Sequence, residues 1–173
     1  MIISQTPEEI KAASALQSKC ELKRIVLRRC RASREESQAA APFSLRISHS
    51  SIANEVGSGV LRIEARLQVQ GHDSSDPTKL VFNVECAFDL DYQIQDQLFQ
   101  PKPESLAAFK DGNAIFNMWP YAREFVNNLI SRMELNTHPL PLLRIVPKKS
   151  EPVKQQNTEA VPALAEVEQQ KKA

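Results

Sequence analysis

Two long runs alternate apolar and polar side chains almost without a miss, and they leave this chain few folds to adopt. In the first, Leu61, Ile63, Ala65, Leu67 and Val69 share one side against Arg62, Glu64, Arg66, Gln68 and Gln70. In the second, Leu80, Phe82, Val84, Cys86, Phe88, Leu90 and Tyr92 share one side. Asn83, Glu85, Asp89 and Asp91, with Val81 and Ala87, take the other. Alternation of period two means extended strands in a sheet with one dry face and one wet face. The turn-like stretch between the runs, Gly71 to Pro77, leaves a loop of about nine residues, too short for a crossover helix, so the strands should be antiparallel. Their wet faces carry opposite charge, Arg62 and Arg66 against Glu85, Asp89 and Asp91, which favours pairing across the strands.

Two more strands are expected earlier. Phe43 to Ser48 alternates, with Phe43, Leu45 and Ile47 on one side. Leu22 to Ala32 is rich in Ile, Val and Leu but is interrupted by arginine. Thr6-Pro7-Glu8-Glu9 has the form of a capping box with proline in the first helical turn. A short helix from about Pro7 to Gln17 should follow, with Ile10, Ala13 and Leu16 on one side.

Gly112 to Ile145 holds the only tryptophan, Trp119. From Pro120 the pattern is helical: Tyr121, Ala122, Phe125, Val126, Leu129, Ile130 and Met133 form two adjacent rows. Proline suits a first turn; the alternative is a start near Ala114 with a kink at Pro120. The apolar rows cover about half the helix circumference, more than one sheet needs. The expected second partner is another subunit. Phe116 is expected in the core, whereas Met118 and Trp119 have the adaptable, large surfaces that a binding site uses.

Strand, strand, strand, strand, helix makes an α+β domain: a four-stranded antiparallel sheet with a long C-terminal helix on one face and a short N-terminal helix. The domain is expected to span 1–146. Pro147 to Ala173, with Pro147, Pro152 and Pro162 among Lys, Glu and Gln, reads as a disordered or weakly helical tail.

Little in the chain suggests catalysis, and the expectation is that it is not an enzyme. Gly57-Ser58-Gly59 lacks the lysine and spacing of a phosphate loop. His49, His72 and His138 stand far apart without metal-ligand spacing, so no metal and no cofactor is expected. Asp89 and Asp91 are better read as a charged wet face than as a catalytic pair. The three cysteines, Cys20, Cys30 and Cys86, show no CxxC spacing and fit a reducing cytoplasm. The N-terminus does not read as a signal peptide, and no run is long and apolar enough to span a bilayer. Net charge is +1 across 173 residues, which gives no general pull toward nucleic acid or membrane. The basic run Lys23, Arg24, Arg28, Arg29, Arg31 and Arg34 admits two readings. One is edge protection or an acidic protein partner. The other, less favoured because no aromatic residue interleaves, is nucleic acid.

The run Trp119-Pro120-Tyr121-Ala122-Arg123-Glu124, followed by Ser131-Arg132 and a Pro-Leu-rich close, resembles the signature of the SecB protein-export chaperones. It is closer still to the SecB-like chaperones linked to toxin–antitoxin systems. The resemblance covers roughly Leu22 to Ile145 and implies an ATP-independent holdase that assembles as a dimer of dimers. Strands of two subunits would align into a larger sheet, and Tyr121, Phe125, Val126, Leu129 and Met133 would lie at the oligomer interface. Unfolded clients, a preprotein or an antitoxin, would enter a groove lined by Phe43, Leu45, Ile47, Leu80 and Phe82, with Met118 and Trp119 as further binding residues.

Two departures qualify the resemblance. Pro147 to Ala173 supplies no convincing second amphipathic helix. Arg62 and Arg66 replace the acidic outer face that export SecB presents to the SecA motor. Both departures favour a specialised SecB-like chaperone. The competing reading is a non-chaperone adaptor on the same scaffold, binding one protein partner or RNA through the basic first strand.

Overall fold

The computed structural model describes residues 1–35, 43–57, 59–96, 98–135 and 139–148. Its elements are β1 (Ile2–Gln5), α1 (Pro7–Gln17), β2 (Cys20–Arg34), β3 (Phe43–Gly57), β4 (Val60–Asp73) and β5 (Leu80–Ile94). A long helix follows, made of α2 (Pro103–Phe109), a π-helical turn (Lys110–Ala114) and α3 (Ile115–Arg132), and then β6 (Arg144–Pro147). His138 and the tail beyond Lys148 lie outside the described residues.

The main sheet is four-stranded and antiparallel, in the order β2-β5-β4-β3. Its two most regular strands, β4 and β5, are antiparallel neighbours, as expected, and are central; the arginine-rich β2 is at an edge, where the edge-protection reading puts it. Leu61, Ile63, Val69, Phe82, Val84 and Leu90 are completely buried. α1 matches its expected span, and its capping box closes both ways. Glu9 N–H donates to Thr6 Oγ1 at 3.1 Å, and Thr6 N–H to Glu9 Oε2 at 2.7 Å.

Three features go beyond the sequence reading. β3 runs on from Ser48 to Gly57, through His49, Ser50 and Ser51, where the alternation gives no signal. β1 and β6 form a separate parallel pair, Ile2 opposite Arg144 and Gln5 opposite Pro147. The helix begins at Pro103, not at Pro120 or Ala114. Pro120 lies inside α3 with its ring exposed. It forgoes the bond to the Phe116 carbonyl, a loss that the packing of the opposite face outweighs.

The helix lies on the apolar face of the sheet from one edge to the other. At the π-helical turn, Ser51 Oγ on β3 donates to Asp111 Oδ1 at 2.6 Å. At the far end, Arg34 on β2 donates to the Met133 carbonyl at 2.6 Å. Ile115, Met118, Ala122 and Val126 face the core and are fully buried.

Two expectations about this helix are reversed. Met118 is 0% exposed and Trp119 3%, whereas Phe116, expected in the core, is 48% exposed. Val126, expected at an oligomer interface, is 0% exposed in the single chain. On its Trp119 side, α3 meets the chain's own return segment at Leu140 and Pro141.

Candidate functional site

The motif around Trp119 holds that return segment. Trp119 and Arg123 are one helical turn apart, so their side chains leave the same side of α3. Trp119 Nε1 donates to the Pro141 carbonyl at 3.1 Å, and Arg123 Nε to the Leu140 carbonyl at 2.6 Å. A further turn on, Asn127 Oδ1 accepts from Leu140 N–H at 3.2 Å. Leu140 and Leu143 are buried behind this clamp. The chain then enters β6, and Lys148 N–H donates to the Gln5 carbonyl at 2.6 Å. The distinctive letters of the motif thus fix where the C-terminal strand lies.

The residues expected to bind clients separate into two groups. Phe43, Leu45 and Ile47 on β3 and Leu80 at the start of β5 are half-buried. Phe43, Leu45 and Ile47 pack against the core from an edge strand, on the same side of the sheet as the helix. Phe82 lies behind them at 0% exposure and meets Phe43 edge-on, ring centroids 6.3 Å apart. Phe82, Met118 and Trp119 are therefore core and not surface. What remains is an apolar ledge of Phe43, Leu45 and Ile47 at one corner of the sheet, with Leu80 half-buried at the same end, opposite His72.

Of the residues expected at an oligomer interface, Tyr121 is 55% exposed, while Phe125, Leu129 and Met133 are half-buried. Phe125 turns its ring edge to Phe88 on β5, with centroids 6.3 Å apart. Phe116 and Tyr121 add apolar surface on the outward side of α3.

The opposite face of the sheet is polar and internally paired. Arg24, Asp91 and Arg62 form one row across β2, β5 and β4. Arg24 Nη2 lies 2.6 Å from Asp91 Oδ2, and Arg62 Nε 2.6 Å from Asp91 Oδ1. The hydrogen bond from Arg62, ahead of that from Arg24, holds the Asp91 carboxyl below the usual carboxylate range against the cost of its burial. Next to this row, Arg28 reaches Asp89 at 3.3 Å and Glu64 at 3.6 Å. Arg66 pairs with Glu64. Much of the basic run on β2 thus neutralises its own neighbours. A shallow trough of about 740 Å³ in the middle of the sheet is lined by Arg29, Arg31, Arg66, Gln68 and Glu85 among others. It is too polar to serve as an apolar client site.

His49 sits near the π-helical turn. Partial burial holds its pKa below the ordinary value, and the Asp111 carboxylate opposes that shift. Burial pushes Tyr92 up, while Asn117, donating to its hydroxyl at 3.1 Å, pulls the other way. Among the described residues, no group of three or more His, Cys, Asp or Glu is placed to hold a metal ion.

This architecture is the SecB-like chaperone fold. The Mycobacterium tuberculosis SecB-like chaperone Rv1957, solved with a ChAD peptide from the HigA1 antitoxin Rv1956, superposes with a TM-score of 0.70 at 16% identity. The match covers 79% of this chain and 99% of that one. A protein of unknown function from Streptococcus agalactiae superposes more loosely, with a TM-score of 0.41 at 9% identity over 72% of this chain and 98% of its own. No protein-family model and no curated protein matches the sequence.

Proposed function

We propose that the chain is an ATP-independent holdase that binds extended segments of unfolded polypeptide, a preprotein or an antitoxin, on the ledge of Phe43, Leu45 and Ile47 together with Leu80. The observation that carries this reading is the half-covered apolar corner on a fold whose M. tuberculosis counterpart was solved with an antitoxin peptide. A client side chain buried there would contribute about 1.5–3 kcal/mol. Several such contacts along one client add through effective concentration. No nucleotide chemistry is needed for a site that works by burial alone. The setting would be the cytoplasm, with the chain as a homotetramer built through Tyr121, Phe125, Leu129 and Met133.

The experiment is suppression of aggregation of an unrelated unfolding protein, with and without nucleotide. Leu45→Glu with Ile47→Glu should abolish suppression and leave the circular dichroism spectrum unchanged. Failure of the unmutated chain at several-fold excess would move the reading to the adaptor. The polar trough favours that second reading to a degree. Arg29 and Arg31 make no ion pair among the described residues, and an acidic partner would complement them.

A further inference from the structure

We propose that Cys30 and Cys86 form a cross-strand disulfide when the chain meets a small-molecule disulfide such as oxidised glutathione, a modification site that staples the edge strand β2 to β5. The two residues are direct partners in the antiparallel β2–β5 register. Directly opposed residues have Cα atoms about 4.5–5.5 Å apart and side chains on one face. A disulfide needs Cα atoms about 4.4–6.8 Å apart, a range that includes such a pair. Both thiols are free; Cys30 is exposed, and Cys86 is 4% exposed on the side covered by the helix.

This difference in exposure gives each thiol a role. The Cys30 thiolate attacks the small disulfide, forming a mixed disulfide and releasing one small thiolate. The Cys86 thiolate then attacks Cys30 Sγ, forming the Cys30–Cys86 bond and releasing the second. The two protons lost by the protein end on the two small thiols. The protein is oxidised by two electrons, and the small disulfide is reduced by two. Burial raises the pKa of Cys30 and pushes that of Cys86 up to about 12. The exchange is therefore slow at neutral pH and quickens as pH rises.

β2 is the strand a staple would serve best. In the main sheet it is bonded only to β5, it carries register shifts at Leu22/Arg24 and Leu27/Arg29, and its Val26 and Leu27 are 41% and 39% exposed. An edge strand of this kind opens first. The proposal does not depend on the holdase reading.

The test uses the full chain carrying Cys20→Ser, which leaves only this pair, incubated with oxidised glutathione at pH 8. The expected product is a chain two hydrogens lighter and not cross-linked to another, with a peptide linking Cys30 to Cys86. It should melt several degrees higher than the reduced form and revert with dithiothreitol. Adding Cys86→Ser should leave one glutathione on Cys30, and adding Cys30→Ser should leave Cys86 unmodified. A lasting glutathione on Cys30 with Cys86 intact, or Cys30–Cys30 bonds between chains as the main product, would overturn the proposal. Digestion of the unmutated chain identifies the linked pair directly should Cys20→Ser disturb the fold.

Discussion

Gly71 lies directly opposite Phe82, and the aromatic ring occupies the space a side chain at 71 would need. A Cβ there would stand 2.0 Å from a ring carbon of Phe82. Phe82 is fully buried and braced by Phe43, so its ring has nowhere to go. Gly71→Ala should therefore cost about 1–3 kcal/mol through overpacking. Thermal melting should show a fall of roughly 2–4 °C for each of those kilocalories. Gly71→Ala with Phe82→Leu should recover part of the loss, because the shorter side chain vacates the space.

Asp91 joins three strands through two arginines, so its removal should be felt more than that of an ordinary surface carboxylate. Asp91→Asn should cost about 1.5–3 kcal/mol, the range for hydrogen bonds to charged groups. Its folded pKa lies below the unfolded value, so its stabilisation is fully present above the unfolded value near 3.9. It is lost as pH falls through the folded pKa. Denaturant titrations between about pH 5 and pH 2 should give a steeper loss of stability for the unmutated chain than for Asp91→Asn.

The outward side of α3 should control assembly. Tyr121→Asp, at a 55% exposed position, should lower the molar mass seen by light scattering and leave the helix content unchanged. Val126→Asp places an unpaired charge at a fully buried position and should unfold the chain instead. Light scattering that gives a clean monomer near 19.4 kDa for the unmutated protein would exclude the tetramer.

Truncation should separate β6 from the residues beyond it. A chain ending at Lys148 should melt like the full protein. One ending at Leu143 loses the β1–β6 rungs and the bond from Lys148 to Gln5. It should melt several degrees lower, and amide exchange at Ile3 and Gln5 should quicken. Arg123→Met keeps the apolar stem but loses the bond to the Leu140 carbonyl. It should quicken exchange in the same strands at a cost of about 1–2 kcal/mol.

By itself the sequence determined the sheet and its dry face. Leu61 to Val69 and Leu80 to Tyr92 alternate almost without a miss, and burying such a strand on one side forces every second residue inward. It also determined α1, because Thr6, Pro7 and Glu9 satisfy the first turn locally. The run from Trp119 to Glu124 carried the resemblance to SecB-like chaperones, and the superposition with Rv1957 agrees with the fold it implies. The tertiary structure alone decided the rest. Ile2–Gln5 and Arg144–Pro147 are too short to show a period, and each is a strand only because the other lies beside it. The helix keeps going through Gly112 because its neighbours pack around it, with Gln5 filling the space a Cβ would take. Above all, Trp119 turned inward and Phe116 outward. Helical periodicity puts Phe116 and Trp119 on neighbouring strips only about 60° apart, and where the buried edge falls between them, with what the returning chain covers, is settled by partners far along the sequence.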